Sequence, residues 1–396
     1  MKIVDVSGFY SETGGGVASY VRQKLAAAAR CGHEVVVIAP GARSHVEPRI
    51  GGRIVWVKSP PMPFDANYRV FVDAREAWRA IAAEAPDVIE GSSPWRGGWI
   101  AAKAPGAPQT VRSLVFHQDF IAGYPYTLLG GVMDRARIDR LFGAYWRYVR
   151  RLSARFDVTV TGGEWLAARL SQFGLNAPIA VPFGIETRQF APERREQAVR
   201  REILAACGAP ADARLLIAVG RLHPEKRHAT LLEGFRTARA RRPDLALAII
   251  GDGPARASVA RDAARTPGAA LIGSIPDRDR LASVYASADL LVHGSGAETY
   301  GLVVAEAIQS GLPVVVPDAG GAADLASRGR ARLYRTGEGR DCGLAILSLL
   351  DEIDSGAPAT PSGPPPGDCE DHFTDLFALY QRLLTAKLSP PGAQAA

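Results

Sequence analysis

Cysteine is scarce in this chain: there are four in 396 residues, at positions 31, 207, 342 and 369. No two form a Cys-x-x-Cys pair, so neither a structural zinc site nor a disulfide framework is indicated. Isolated thiols of this kind fit a reducing compartment. No apolar run approaches the ~18 residues of a membrane span. The N-terminus, Met-Lys-Ile-Val-Asp-Val-Ser-Gly, lacks the long apolar core of a secretory signal and reads as an immediate first strand. No Lys/Arg run is dense enough to track a phosphate backbone, and no zinc-finger spacing occurs, which argues against nucleic acid as a partner. These absences point to a cytoplasmic protein, or one peripheral on the cytoplasmic face of the inner membrane.

What is present is ordinary for a soluble enzyme: 47% apolar, 22% charged and 8% aromatic residues. The length suggests two or three domains of roughly 100–200 residues each. The net charge of +6 fits an anionic substrate, an acidic membrane surface, or simply a soluble exterior.

Ile3, Val4 and Val6 mark a short buried strand. Gly14, Gly15 and Gly16 follow, then helical periodicity from Val17 to Arg30 with Gly32 as its stop, then a strand at Val35–Ile38. Strand, helix, strand within forty residues is a βαβ unit and implies a parallel sheet. Further strands are expected at 54–57, 88–90, 111–116, 158–160 and 179–181. A clearer alternation begins after Pro182. Strands are expected at 215–219, 245–250, 270–272, 290–293 and 313–316, with helices at 230–241, 278–287 and 302–310. This predicts an α/β protein of two doubly wound domains, 1–182 and 183–370. Residues 355–368 are rich in Pro, Gly and Ser and read as an exposed linker. An amphipathic helix is expected over 371–386, and disorder over the last ten residues.

The most informative stretch is Glu298-Thr-Tyr-Gly-Leu-Val-Val-Ala-Glu306. Two carboxylates eight positions apart bracket a glycine able to open a helix. Free N–H groups of that first turn attract an anion such as a phosphate. One segment thus offers two carboxylates for sugar hydroxyls and an anion site between them.

Other pieces stand around it in a set order. Phe183-Gly-Ile-Glu186 is followed by Val219-Gly-Arg221-Leu-His-Pro-Glu-Lys226 and Gly251-Asp-Gly-Pro254. Ala288-Asp289 precedes the Glu298 segment; Gly311-Leu-Pro-Val-Val and Gly320-Gly321 come after it. In this order the pieces resemble the retaining GT-B glycosyltransferases of the glycosyltransferase 4 type, over about 380 residues and most strongly from 183 to 325. The resemblance implies two Rossmann-like domains facing a cleft. The first (1–182) would take the acceptor and the second (183–370) a nucleotide diphosphate sugar. The 371–386 helix would return to the first domain.

It also implies roles. Arg221 and Lys226 would stabilise the departing diphosphate, whose charge grows as the glycosidic bond breaks. Glu306 would hold ribose hydroxyls, and Glu298 the donor sugar. Tyr300, Gly301 and Leu302 would meet phosphates through their backbone N–H groups, and Gly251 would line the nucleotide site. Gly15 and Gly16 would close over donor phosphate and sugar, and His117 would bind a sugar hydroxyl near the reacting carbon, with Asp119 as a further contact to acceptor or sugar. The catalytic set is then His117, Arg221, Lys226 and Glu298. No carboxylate stands out as a covalent nucleophile, so the resemblance implies same-face attack with the leaving phosphate taking the acceptor proton. No Asp-x-Asp sits where a metal-dependent transferase would need one, so neither a metal nor another cofactor is expected.

The donor base is not legible; UDP is the default by its frequency in the family. For the acceptor, seven arginines between Arg135 and Arg155 interleave with Phe142, Tyr145, Trp146 and Tyr148. This is either a helix packed on the first sheet with a basic outer face, or a surface that lies on anionic lipid. A membrane glycolipid acceptor is the leading expectation. Soluble sugars, polysaccharide intermediates and small metabolites remain open, as do a sucrose- or trehalose-type synthase and a phosphorylase. A non-catalytic nucleotide-sugar-binding module should have lost Arg221, Lys226, Glu298 or Glu306, and all four are present. A dinucleotide-dependent oxidoreductase needs a tight Gly-x-Gly-x-x-Gly after strand one, and this chain has Ser7-Gly-Phe-Tyr-Ser-Glu-Thr-Gly there.

Overall fold

The computed structural model describes residues 1–12, 15–63 and 65–389. Gly14 of the glycine triplet and residues 390–396 of the expected disordered tail lie outside them.

The chain divides into two units. The first contains Met1–His117, Arg140–Pro182 and the C-terminal segment from Cys369; the second contains Gln118–Asp139 and Phe183–Asp368. The expected single cut at 182/183 therefore has two additions. A short segment after His117 clusters with the second unit, and the chain returns to the first unit at 368/369 rather than 370/371.

The first unit is built on an eight-stranded sheet. Its strands are β1 (Lys2–Val6), β2 (Glu34–Gly41), β3 (His45–Arg49), β4 (Gly52–Lys58), β7 (Val88–Gly91), β8 (Val111–Phe116), β9 (Val158–Thr161) and β10 (Pro178–Ala180). The spatial order is β10-β9-β8-β7-β1-β2-β4-β3. All neighbours are parallel except β3, which runs antiparallel to β4. A separate hairpin joins β5 (Pro61–Met62) to β6 (Asp65–Arg69). Parallel strands covered on both faces are near-continuous apolar runs, which is why Val35 to Ala39 are all fully buried.

The Gly15–Arg30 helix covers one face of this sheet together with the Cys369–Leu388 helix. The latter inserts Phe373, Leu376, Phe377 and Tyr380 among Ile3, Val35 and Val111. It runs two residues past each end of the expected 371–386 helix. At the centre of this core Lys24 is buried against Asp5 (3.0 Å) and Glu90. The Tyr380 hydroxyl donates to Glu90 and lies 3.1 Å from Ser113. An unpaired charge at such depth would be costly, so each partner holds the others in place.

The second unit has a six-stranded parallel sheet of β11 (Arg214–Val219), β12 (Leu245–Ile250), β13 (Ala269–Gly273), β14 (Leu290–Val292), β15 (Val314–Pro317) and β16 (Ala331–Tyr334), ordered β13-β12-β11-β14-β15-β16. Successive side chains of a strand point to opposite faces. Leu215 and Ile217 thus join one apolar layer while Leu216 and Ala218 join the other. The strand order reverses at β11 and β14, and in open α/β sheets such a switch opens a crevice at the carboxyl ends of the strands.

The basic aromatic stretch is two helices, Arg135–Leu141 and Gly143–Ser153, broken at Phe142. In the second, Trp146, Val149 and Leu152 are buried while Arg147, Arg150 and Arg151 are exposed. No helix among the described residues is long and apolar enough to cross a membrane.

Candidate active site

The carboxyl ends of β11 and β12 are drawn together by glycine. A Cβ on Gly251 would fall 1.8 Å from the Gly220 carbonyl oxygen, so no other residue fits there. Close backbone packing thus gives Gly251 a structural reason to be glycine. The Leu222 N–H donates to the Asp252 carbonyl at 2.9 Å, which fixes the loop after β11. Arg221 projects from this loop, exposed. A short 3-10 turn, Pro224–Lys226, then swings Lys226 back.

The Lys226 ammonium donates to the Glu298 carboxylate. Nε2 of His293, just past β14, stands 3.3 Å from the same carboxylate. Burial opposes the charge on both partners. In Lys226 the Glu298 charge outweighs burial and holds the ammonium above its usual range. In Glu298 burial is again outweighed, by Lys226 and then His293, and the carboxyl sits well below its ordinary value. The pair is ionised at neutral pH.

Glu298 is also held through its backbone. Its carbonyl accepts the Gly321 N–H at 2.7 Å. A Cβ on Gly321 would come within 2.4 Å of the Tyr300 carbonyl oxygen, which explains the Gly320-Gly321 pair as a close approach to this loop. Gly301, at φ +95°, caps the Leu302–Gln309 helix. Tyr300 is buried against Phe183, and burial lifts its phenol to about 12. Leu302 opens the helix with its side chain exposed.

Glu306, a turn further on, is buried. Its carboxylate accepts from the Tyr285 hydroxyl and from Arg278, each at 3.0 Å. Burial wins over these partners and raises its carboxyl above the usual value. Four expected residues therefore stand in one unit. Lys226 and Glu298 touch, Glu306 lies on the helix that follows Glu298, and Arg221 remains on its loop outside these contacts. Arg278 and Tyr285 were missed by sequence reading. They lie on the Arg278–Ser287 helix, and nothing local marks them as partners of Glu306.

Of the remaining expected residues, Gly15, Gly16 and His117 belong to the first unit. His117 follows β8, with the Tyr20 ring 4.9 Å away in an edge-on contact. Burial pushes its imidazole down to about 4, so it is neutral at pH 7. Gly15 and Gly16 open the Gly15–Arg30 helix, and a Cβ on Gly16 would meet nothing within 4 Å. Asp119, in the second unit, caps a short helix by accepting the N–H groups of Ile121 (2.9 Å) and Ala122 (3.0 Å), which is reason enough for its presence.

Comparison with known proteins bears on the family and the fold. Residues 14–189 match the family model for Glycosyltransferase Family 4, and residues 199–351 match that for Glycosyl transferases group 1. A GDP-mannose-dependent alpha-mannosyltransferase of Mycolicibacterium smegmatis is 31% identical over 361 residues, covering 89% of each chain. A GDP-mannose-dependent alpha-(1-6)-phosphatidylinositol dimannoside mannosyltransferase of Mycobacterium tuberculosis is 28% identical, over 80% of this chain and 79% of its own. Among solved structures, sucrose-phosphate synthase from Thermosynechococcus elongatus superposes with a TM-score of 0.71 at 19% identity, covering 98% of this chain and 100% of that one. The GT-B fold, the two family matches and the extent of the mannosyltransferase similarity lead to one conclusion: the chain belongs to the family 4 glycosyltransferases and is a hexosyltransferase that draws on a nucleotide sugar.

Proposed function

We propose that this glycosyltransferase moves mannose from GDP-mannose to a hydroxyl of a membrane glycolipid, with retention of anomeric configuration. The observation that carries the reading is the Lys226–Glu298 pair, set beside a glycine-capped helix start with Glu306 behind it. GDP replaces the UDP default because the mannosyltransferases similar to this chain are named for GDP-mannose. The alpha configuration in the names of those transferases, from a donor whose mannose is itself alpha-linked, supports retention.

In this reading Arg221 and Lys226 neutralise the diphosphate as it leaves. Arg supplies a fork for two phosphate oxygens, and Lys a point charge. Glu298 exchanges part of its hold on Lys226 for sugar hydroxyls. Glu306, oriented by Tyr285 and Arg278, still has lone pairs for the ribose. Backbone N–H groups at Tyr300, Gly301 and Leu302 meet the phosphates, and Gly251 lines the nucleotide site. For the first unit, the family resemblance assigns Gly15 and Gly16 to the donor and neutral His117 to a sugar hydroxyl. The departing phosphate accepts the acceptor proton on the same face. Two cationic side chains do the work of a metal ion, and none is required. The exposed Arg147, Arg150 and Arg151 support the reading that the protein works on anionic lipid at the cytoplasmic face of the membrane.

The test is a thermal-shift panel of GDP, UDP and ADP on the full chain, followed by transfer of labelled mannose to lipid acceptors. GDP at a hundredfold over its Kd should stabilise by about 2.7 kcal/mol. A larger shift with UDP than with GDP overturns the donor assignment. Product resistant to an α-mannosidase overturns retention.

A further inference from the structure

The loop that presents Lys226 carries a strained residue directly after it. Arg227 holds φ +51° and ψ +45°, the left-handed region that glycine enters freely and arginine does not. Only Ala85 and Ala177 share a positive φ without being glycine among the described residues, and a methyl group offers no chemistry. Arg227 is different. Its side chain lines a cavity of about 290 Å³ within the second unit, bounded also by Tyr126, Arg135, Glu225, Ala297 and Thr336. Glu225 and Ala297 are the immediate chain neighbours of Lys226 and Glu298, so the cavity adjoins the pair.

The Arg227 guanidinium makes one long hydrogen bond, 3.4 Å to the Tyr126 carbonyl. No ion pair reaches it among the described residues. Its charged neighbour is another cation, Arg135. The acids nearby are engaged elsewhere or open to water. Asp134 accepts from the Arg137 N–H at 2.8 Å and pairs with that guanidinium at 3.3 Å. Asp318 accepts from Thr336 at 2.6 and 3.0 Å and stands 3.9 Å from Arg135. Glu225 faces His223 at 4.0 Å and adds to the field on Lys226. Glu338 is exposed. A half-buried guanidinium without a counter-ion, held in a strained backbone and aimed into a cavity, is arranged for an anion that arrives with a ligand.

We propose that Arg227, with Arg135 beside it, receives the phosphate of an anionic lipid acceptor in this cavity and makes the enzyme selective for negatively charged over neutral acceptors. The proposal rests on the glycosyltransferase reading above. It assigns the anion to the acceptor because the donor diphosphate already has Arg221, Lys226 and the helix start at Gly301. The Tyr126–Arg135 wall also follows His117 in sequence, within the 1–182 stretch that the resemblance assigns to the acceptor, and it clusters with the second unit.

The experiment compares the full-length wild type with Arg227→Gly, using dioctanoyl phosphatidylinositol and neutral glucosyl dioctanoylglycerol as monomeric probes. Each is measured for binding by thermal shift, and for mannosyl transfer at saturating GDP-mannose. The wild type should favour the anionic lipid at least tenfold, and Arg227→Gly should lose roughly tenfold of that preference. Its Tm should hold or rise, because glycine adopts this backbone without strain. A fall in Tm with equal losses on both lipids assigns Arg227 to anchoring the Tyr126 loop and overturns the proposal. Weakened GDP binding with lipid selectivity intact assigns it to the donor and overturns it too. If no mannose is transferred from GDP-mannose, the donor reading fails, while the difference in lipid binding between wild type and variant still decides the role of Arg227.

Discussion

Lys226→Met is the sharpest probe of the Lys226–Glu298 pair, because it keeps the length of the side chain and removes the charge. Breaking a fully buried ion pair costs roughly 3–5 kcal/mol. Here the side chains retain 18% and 20% exposure, so water screens part of the penalty. About 2 kcal/mol at pH 7 is expected, a fall in Tm of about 4–8 °C for a unit of this size. The pH dependence carries the distinctive signature. In the wild type Glu298 lies below its ordinary value, so its contribution is present above about pH 4.5 and is lost only as pH falls through its depressed folded value. In the variant burial acts with less opposition and pushes the carboxyl up, so it takes a proton on mild acidification and the penalty fades. The gap in Tm should therefore narrow from pH 7 to pH 5, as read by differential scanning fluorimetry. In the transfer assay the loss of one contact to the leaving diphosphate is worth about 3 kcal/mol, a hundredfold in kcat/KM. A gap that stays constant or widens refutes the electrostatic account. Wild-type transfer by the variant removes Lys226 from the mechanism.

Three further outcomes are expected. Glu306→Gln keeps the contacts to Tyr285 and Arg278 in shape but drops the charge, and should weaken GDP binding roughly tenfold by calorimetry; equal affinity would take Glu306 away from the ribose. His228 and His372 are both pushed down to about 4 by burial, so the unfolded chain takes up protons first and stability falls as pH drops below 6.5. Each should cost about 2 kcal/mol between pH 7 and pH 5 in urea unfolding, and an unchanged free energy over that window contradicts it. Mannosyl transfer should proceed at the same rate in EDTA; activity lost in EDTA and restored by manganese would show that Arg221 and Lys226 do not replace a metal.

The second unit was the more legible half. Strands β11 and β12 are mostly apolar runs followed by Gly220 and Gly251, and the 278–287 helix and the 245–250 strand fall where periodicity places them, whereas β16, with Arg332 in it and Leu333 exposed, was not among the expected strands. The first unit hides more. Strand β3 is largely exposed and contains Pro48, so it shows no apolar signal and is recognisable only by its pairing with β4. The 135–155 stretch keeps its apolar spacing through Phe142, yet the helix breaks there. Lys24 sits within a helical pattern where a lysine ordinarily faces water, and its burial against Asp5 and Glu90 depends on strands far away in sequence. The same limit applies to the site. The residue types and order around Glu298 were visible, but the contact with Lys226 spans 72 positions and that with Arg278 spans 28, and spacing says nothing about either. Arg227 escaped notice because a strained backbone leaves no trace in composition.

The Cys369–Leu388 helix has a consequence for how the molecule is made. Phe373, Phe377 and Tyr380 emerge from the ribosome long after Ile3 and Val35, yet they fill a hollow against the strands that carry those residues. At ordinary elongation speeds, roughly 10–40 s separate the appearance of Pro182 from that of Tyr380. During that interval the nascent amino-terminal half exposes the apolar groove this helix will cover, and leaves Glu90, the partner of Lys24, without its phenolic donor. The later-made half, which needs no help from the tail, is free to fold ahead of the earlier one. A stop codon introduced before Cys369 would therefore injure the unit built mostly from residues translated earlier.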